Sequence, residues 1–171
     1  MEFLQLMEQR YSVRKYAEKA VEEEKLDKVL QAALNAPTAK NNQPFRIYVL
    51  KSEEALAKIR GITRCAFNAP AVLLFTYQKE EQWENPLEAG VVSGVEDVAI
   101  VATHAMLEAA DLGLGTCWVN FFPNTETEKA FDIPESERSV LLMPLGYASA
   151  DSAPTPNHTT KRPKEELVKE L

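Results

Sequence analysis

The chain predicts an α+β fold, with a mixed or antiparallel central sheet flanked by helices. Helical and strand patterns alternate without a regular βαβ rhythm, no segment repeats, and the strand candidates are short β-branched and aromatic runs between amphipathic helices. The 171 residues have the length of one domain, residues 1–171, with about 150–171 as an extended C-terminal arm. A hydrophobic fraction of 45% is enough to build a core.

Each element has a local reason. Phe3, Leu6, Met7 and Arg10 fall at i, i+3, i+4 and i+7 and form one stripe of a short opening helix. Leu26, Val29, Leu30, Ala33 and Leu34 repeat that period over 22–36, with Glu22, Glu23 and Glu24 against the positive end of the helix dipole and Pro37 as the stop. The runs 45–50 (FRIYVL) and 71–77 (AVLLFTY) read as buried strands. Between them, 52–60 has helical spacing at Ala55, Leu56 and Ile59. Residues 78–86, acidic and polar around Trp83, read as a surface segment. The clearest helix is 96–112, whose stripe of Val98, Val101, Ala102, Ala105, Ala109 and Leu112 suits close packing at the centre of a core. Gly113 and Gly115 end it. Residues 117–122 and 140–147 are the remaining strand candidates, separated by a short helix over about 125–131, and Pro144 predicts an edge or a bulge.

Composition excludes several classes of function. A net charge of −7 opposes binding to nucleic acid or to an anionic membrane, so an anionic ligand needs a local basic pocket. Cys65 and Cys117 lie outside any CxxC spacing and read as reduced thiols, with neither a disulfide framework nor a metal site. No stretch has the length of a signal or membrane segment, and the expected compartment is the cytoplasm. The glycines of LGLGT (112–116) follow a helix and precede a strand-like run. That is the reverse of a dinucleotide-binding fingerprint and reads as a helix end with a tight turn.

Four segments carry chemistry. In an extended RYSVRKY (10–16), a period of two puts Arg10, Ser12 and Arg14 on one side, and two guanidinium forks with a hydroxyl match a phosphate monoester. Pairing with surface acids is the alternative reading. In APTAKNNQP (36–44), Asn41, Asn42 and Gln43 each donate and accept, which suits a heterocycle edge or a ribityl chain, with Pro37 and Thr38 bringing backbone close. Local Asx turns are the alternative. GTCWVNFF (115–122) presents Trp118, Asn120 and Phe121 as an apolar floor with a donor, or as plain core. Lys161 and Arg162 either close over the same phosphate or are solvated tail charges.

Together these segments resemble the nitroreductase family of flavoproteins. RYSVRKY resembles its opening phosphate-binding signature. APTAKNNQPF resembles its Pro-Ser-x-x-Asn-x-Gln-Pro-Trp motif, with Thr38 for serine and Phe45 for tryptophan. DLGLGTCW, MPLGY and KRP resemble its central helix end, last strand and tail. The resemblance implies an FMN-dependent oxidoreductase. NADH or NADPH would donate hydride to the flavin, and a small electron-poor acceptor (a nitroaromatic, quinone, flavin, activated alkene or halogenated aromatic) would take it in a ping-pong cycle. It places Arg10, Tyr11, Ser12, Arg14, Lys161 and Arg162 at the phosphate and ribityl oxygens. Pro37, Thr38, Ala39, Asn41 and Gln43 fall along the ring and ribityl chain, and Trp118, Val119 and Asn120 near the flavin N5. It implies no side-chain acid–base constellation, because flavin N5 carries the chemistry. It also implies a homodimer whose sites draw on both chains. A non-catalytic FMN-binding storage or sensor protein is the alternative.

Overall fold

The computed structural model describes residues 2–171. Its element order is α1 (Phe3–Gln9), α2 (Glu23–Leu34), β1 (Phe45–Leu50), α3 (Glu53–Ile62), β2 (Ala71–Gln78), α4 (Gly94–Asp111), β3 (Gly115–Thr116), α5 (Asn124–Ala130), β4 (Glu137–Gly146) and α6 (Lys164–Leu167). The four strands form one antiparallel sheet in the order β1-β2-β4-β3. The fold is α+β.

Strand β2 explains the layering. Its alternate residues Leu73 and Phe75 pack with Val98, Val101, Ala102 and Ala105 of α4 and with Leu26, Val29 and Ala33 of α2. Val72 and Leu74 pack on the opposite face with Leu56 and Ile59 of α3 and with Leu142. Both faces of the sheet are covered, so β2 reads as a continuous apolar run rather than an alternating one. The small residues of α4 let it lie close across β2 at the centre of the molecule. Among the described residues no helix is long and apolar enough to cross a membrane.

Three expectations need correcting. The expected strand 117–122 does not form: the strand β3 ends at Thr116, before it, and within 117–122 only a lone bridge remains, in which Val119 and Leu142 exchange both backbone hydrogen bonds at 3.0 Å. Side chains compete with the ladder here: Asn120 Nδ2 donates to the Val140 carbonyl at 2.9 Å, and Trp118 Nε1 donates to Asn120 Oδ1 at 2.7 Å. Pro144 marks neither a sheet edge nor a bulge, because β4 lies between β2 and β3 and the register shift falls at Phe75/Thr76. By strand alternation Pro144 faces the same side as Leu142, between the β3 pairs and the Val119 bridge, where its missing N–H leaves no pair broken. Its carbonyl accepts from Tyr16 Oη at 3.0 Å. The apolar stripe of α1 buries only Leu6, while Phe3 stays 61% exposed.

The extended segment after α1 lies beside β3. Ser12 bridges Thr116, the Val13 N–H donates to the Thr116 carbonyl at 2.9 Å, and Ala17 N–H donates to the Tyr147 carbonyl at 2.9 Å. The approach requires Gly115, because a Cβ there would collide with Val13 Cγ2 and stand 2.8 Å from Val13 Cβ. Val13 is buried and β-branched and has no free rotamer to yield. Gly115→Ala is therefore expected to cost about 1–3 kcal/mol, read as a lowered urea midpoint with an unchanged slope. A neutral result would show that Val13 repacks freely.

Candidate functional site

The candidate residues gather at two ends of α4. At its C-terminal end Arg10 follows α1, and together with Tyr11, Ala110 and Gly113 it lines a cleft of about 200 Å³. Arg10 also lines a neighbouring cleft of about 610 Å³ with Lys161, His158 and Met7. The C-terminal arm reaches this place because Tyr11 holds it: Tyr11 Oη donates to Ser152 Oγ at 3.2 Å, and the Tyr11 ring meets His158 edge-on at 6.3 Å. Arg10 donates to no protein acceptor among the described residues. Arg162 is not part of this group. Its guanidinium pairs with Glu166 one turn along the tail, at 2.6 Å.

Arg14 is exposed and donates to the Ser12 carbonyl at 3.1 Å. Close by lies the buried Cys117, whose thiol is pushed up by burial against the smaller opposing pulls of Arg14 and a Ser12 hydrogen bond. Burial likewise raises the Tyr16 phenol well above its ordinary value. Neither group is poised to lose a proton at neutral pH, and both act as packed neutral side chains. The turn of Trp118, Val119 and Asn120 continues directly from Cys117, which places it beside Ser12 and Arg14.

At the N-terminal end of α4 sits the loop 37–43. Lys40, Asn41 and Gln43 have φ of 52°, 57° and 51°, so three non-glycine residues in four adopt the left-handed region. Such strain persists only where the surroundings over-determine it. Here Thr38 Oγ1 accepts from the Gln43 N–H at 3.0 Å, and Asn42 Nδ2 donates to the Glu81 carbonyl at 3.1 Å. The principal clamp is Asp97, which is 2% exposed on α4. Its carboxylate accepts from the Ala39 N–H at 2.8 Å and from Ser93 Oγ at 2.7 Å, while Ser93 Oγ accepts from the Trp83 N–H at 3.1 Å. The side chain of Asn41 stands exposed and makes no hydrogen bond among the described residues, so its amide is free for a ligand.

Segment 78–93 supports this loop. Glu81 pairs bidentately with Arg46 of β1 at 2.7 and 2.9 Å, and Glu84 bridges Val92. Asp97, Ser93 and Glu81 are positioning residues that sequence reasoning does not find, because each acts through a contact distant in the chain.

The model of the Nitroreductase family matches residues 7–67 and 61–147. The chain belongs to the Nitroreductase family. The match includes the Arg10–Arg14 segment, the strained loop and the Trp118–Asn120 turn, and it ends before the arm that carries Lys161. A crystal structure of a nitroreductase family protein from Clostridium difficile 630 superposes with a TM-score of 0.91 at 33% identity, covering 99% of this chain and 98% of that one. An FMN-dependent nitroreductase from Clostridium difficile R20291 superposes with a TM-score of 0.72 at 25% identity, covering 93% and 98%. An NADPH-dependent oxidoreductase from Staphylococcus haemolyticus is 23% identical over 169 residues, covering 88% of this chain and 67% of that protein. Within this nitroreductase-family chain the two groups of site residues lie apart along α4. Asp97 and Ala110 are separated by about 20 Å of helix rise.

Proposed function

We propose that this chain is an FMN-dependent oxidoreductase that takes hydride from NADH or NADPH and delivers it to a small electron-poor acceptor. The observation that carries the reading is the Arg10 guanidinium, which lines a cleft with Lys161 and has no protein acceptor among the described residues. A guanidinium and an ammonium lining one cleft, with Glu8 as the one carboxylate in its walls, in a chain of net charge −7, are a donor set suited to a phosphate monoester. The names of relatives, an FMN-dependent nitroreductase and an NADPH-dependent oxidoreductase, support the same reading.

The residues divide the work. Arg10 and Lys161 hold the phosphate, and Ser12 and Arg14 face the ribityl oxygens. The free amide of Asn41, with Gln43 and the backbone of 37–39, is offered to the ring edge. Trp118, Val119 and Asn120 form the turn beside the reacting atom. When bound, the flavin supplies a ring that takes hydride from the nicotinamide and passes it to the acceptor in a ping-pong cycle. The protein contributes position, exclusion of water and fixed dipoles.

The distance along α4 between loop 37–43 and the Arg10 cleft is more than a ribityl chain bridges, which supports a site shared by two chains. One protomer would give its loop and its partner the arginine end, so a homodimer carries two sites related by a twofold axis. The exposed apolar residues Phe3 on α1 and Val95 and Ile100 on α4 are available to such a contact.

The test is an absorbance spectrum of the purified protein, followed by anaerobic addition of NADH and then NADPH. Flavin bands near one per chain that bleach on addition are expected. Bands that persist would favour a storage or sensor protein, and no bands after reconstitution with FMN would remove the flavin reading.

A further inference from the structure

We propose that Arg64 and Phe121 form a recognition site for a planar aromatic anion, on the flank of the Trp118–Asn120 turn. The site is a cleft of about 330 Å³ between the end of α3 and the chain leading to α5, with walls that include Ile62, Arg64, Phe121 and Pro123 and no carboxylate. The Phe121 ring is 69% exposed, and the Arg64 guanidinium lies 5.7 Å from its centroid. An aromatic ligand finds the exposed Phe121 ring to pack against, and its anionic substituent finds the guanidinium fork held over that ring.

Arg64 is free for this task. Of the seven arginines, Arg14 donates to Ser12, Arg46 to Glu81, Arg60 to Ala69, Arg138 to Glu128 and Arg162 to Glu166. Only Arg10 and Arg64 donate to no protein acceptor among the described residues. Arg10 is accounted for by the phosphate assigned above, and Arg64 lies on the other side of the sheet's β3 end with no assigned ligand.

The pair is also held in place. Thr63 is buried, and its hydroxyl donates to the Phe121 carbonyl at 2.8 Å while accepting from the Cys65 N–H at 3.1 Å. One side chain thus fixes the strand-side residue Phe121 against the turn that carries Arg64. Phe67 and Asn68 follow with φ of 51° and 55°, two consecutive left-handed non-glycine residues that set the direction of that turn.

The placement beside the reacting ring rests on the function proposed above, whereas the recognition of an aromatic anion does not. Two ligands share this chemistry: an acceptor such as an aromatic carboxylate, and the adenosine 2′-phosphate end of NADPH.

The experiment uses the purified protein with its bound flavin and compares para-nitrobenzoate with para-nitrobenzamide, which differ in charge and hardly in shape. Binding to the oxidised protein is read by equilibrium dialysis without nicotinamide, and kcat/KM is read for both probes and for NADPH against NADH. The unaltered protein is expected to prefer the member with the additional anionic group in one pair by roughly tenfold, and Arg64→Gln to bring that ratio close to one. Phe121→Ala is expected to weaken both members of that pair alike. A ratio that collapses for the benzoate assigns the acceptor, and one that collapses for NADPH assigns the donor. Ratios equal in the unaltered protein and in Arg64→Gln for every pair would overturn the proposal. Dialysis needs no turnover, so Arg64-dependent binding to a protein whose flavin does not bleach with NADH or NADPH would keep this site and remove the oxidoreductase reading.

Discussion

Arg10→Ala is expected to weaken FMN binding roughly 30- to 150-fold, the equivalent of about 2–3 kcal/mol for a lost charge-assisted hydrogen bond. The structure gives this substitution an unusual clarity. Because Arg10 donates to no protein group among the described residues, its removal breaks no hydrogen bond there, and the unfolding free energy of the flavin-free protein should stay within about 0.5 kcal/mol of its starting value. Flavin fluorescence titration with and without Arg10 reads the effect. Raising the salt concentration should shrink the difference, since Arg10 and Lys161 sit in open clefts. Arg162→Ala is the contrasting case: its guanidinium is already occupied by Glu166, and the loss of FMN affinity should be small. If both arginines mattered equally, the tail would have to rearrange on binding and the assignment of Lys161 as the arm's phosphate ligand would fail.

Asp97→Ala is expected to be the most damaging single change to the loop 37–43. It removes a buried carboxylate that accepts from the Ala39 N–H and the Ser93 hydroxyl, leaving both donors without a partner. Hydrogen bonds to a charged group contribute about 1.5–3 kcal/mol each, so a loss of about 3–5 kcal/mol follows. For a chain of this size that lowers the thermal midpoint by roughly 10 °C. Asp97→Asn keeps the acceptor for Ala39, and its amide can donate to Ser93 Oγ, so it should cost about 1 kcal/mol. Calorimetry on both variants separates the shape of the residue from its acceptors. Equal costs would mean that the carboxylate itself holds the loop and that an isosteric amide cannot replace it, whereas a neutral Asp97→Asn beside a costly Asp97→Ala would mean that shape and one acceptor suffice. The strained φ values at Lys40, Asn41 and Gln43 should relax when the clamp goes, so flavin retention should fall in the alanine variant even below its melting temperature.

Much of the fold was readable because the elements obey simple patterns. β1 appears where FRIYVL predicts it, and β2 extends only to Gln78 beyond the predicted run. The start of β4 was hidden, since Glu137, Arg138 and Ser139 look like a loop. Glu137 is buried there because it accepts from Tyr48 Oη at 3.0 and 3.1 Å and from Thr76 Oγ1. The Tyr48 phenol is pushed up to about 12, first by burial and then by this carboxylate. Such a polar pairing across three strands leaves no trace in hydropathy. The site divides in the same way. Arg10, Ser12 and Arg14 stood out by charge and spacing, whereas Asp97 looked like an ordinary acid in the first turn of a helix, favourable to the dipole and unremarked. Its role comes from Ala39, 58 positions earlier. Arg64 was equally silent, because its isolation from acids and its contact with Phe121 are properties of the folded chain.

The length of α4 has a consequence for how such a chain can vary. Inserting or deleting one residue within it would turn one end against the other by about 100° and shift it by about 1.5 Å. Asp97 would then face away from Ala39, or Ala110 away from the Arg10 cleft, while the hydropathy of the helix would hardly change. Substitutions along this helix are tolerable in proportion to their bulk, but its residue count is fixed by phase. Changes of length are expected in segments that carry no phase, such as the mostly exposed 85–90 turn.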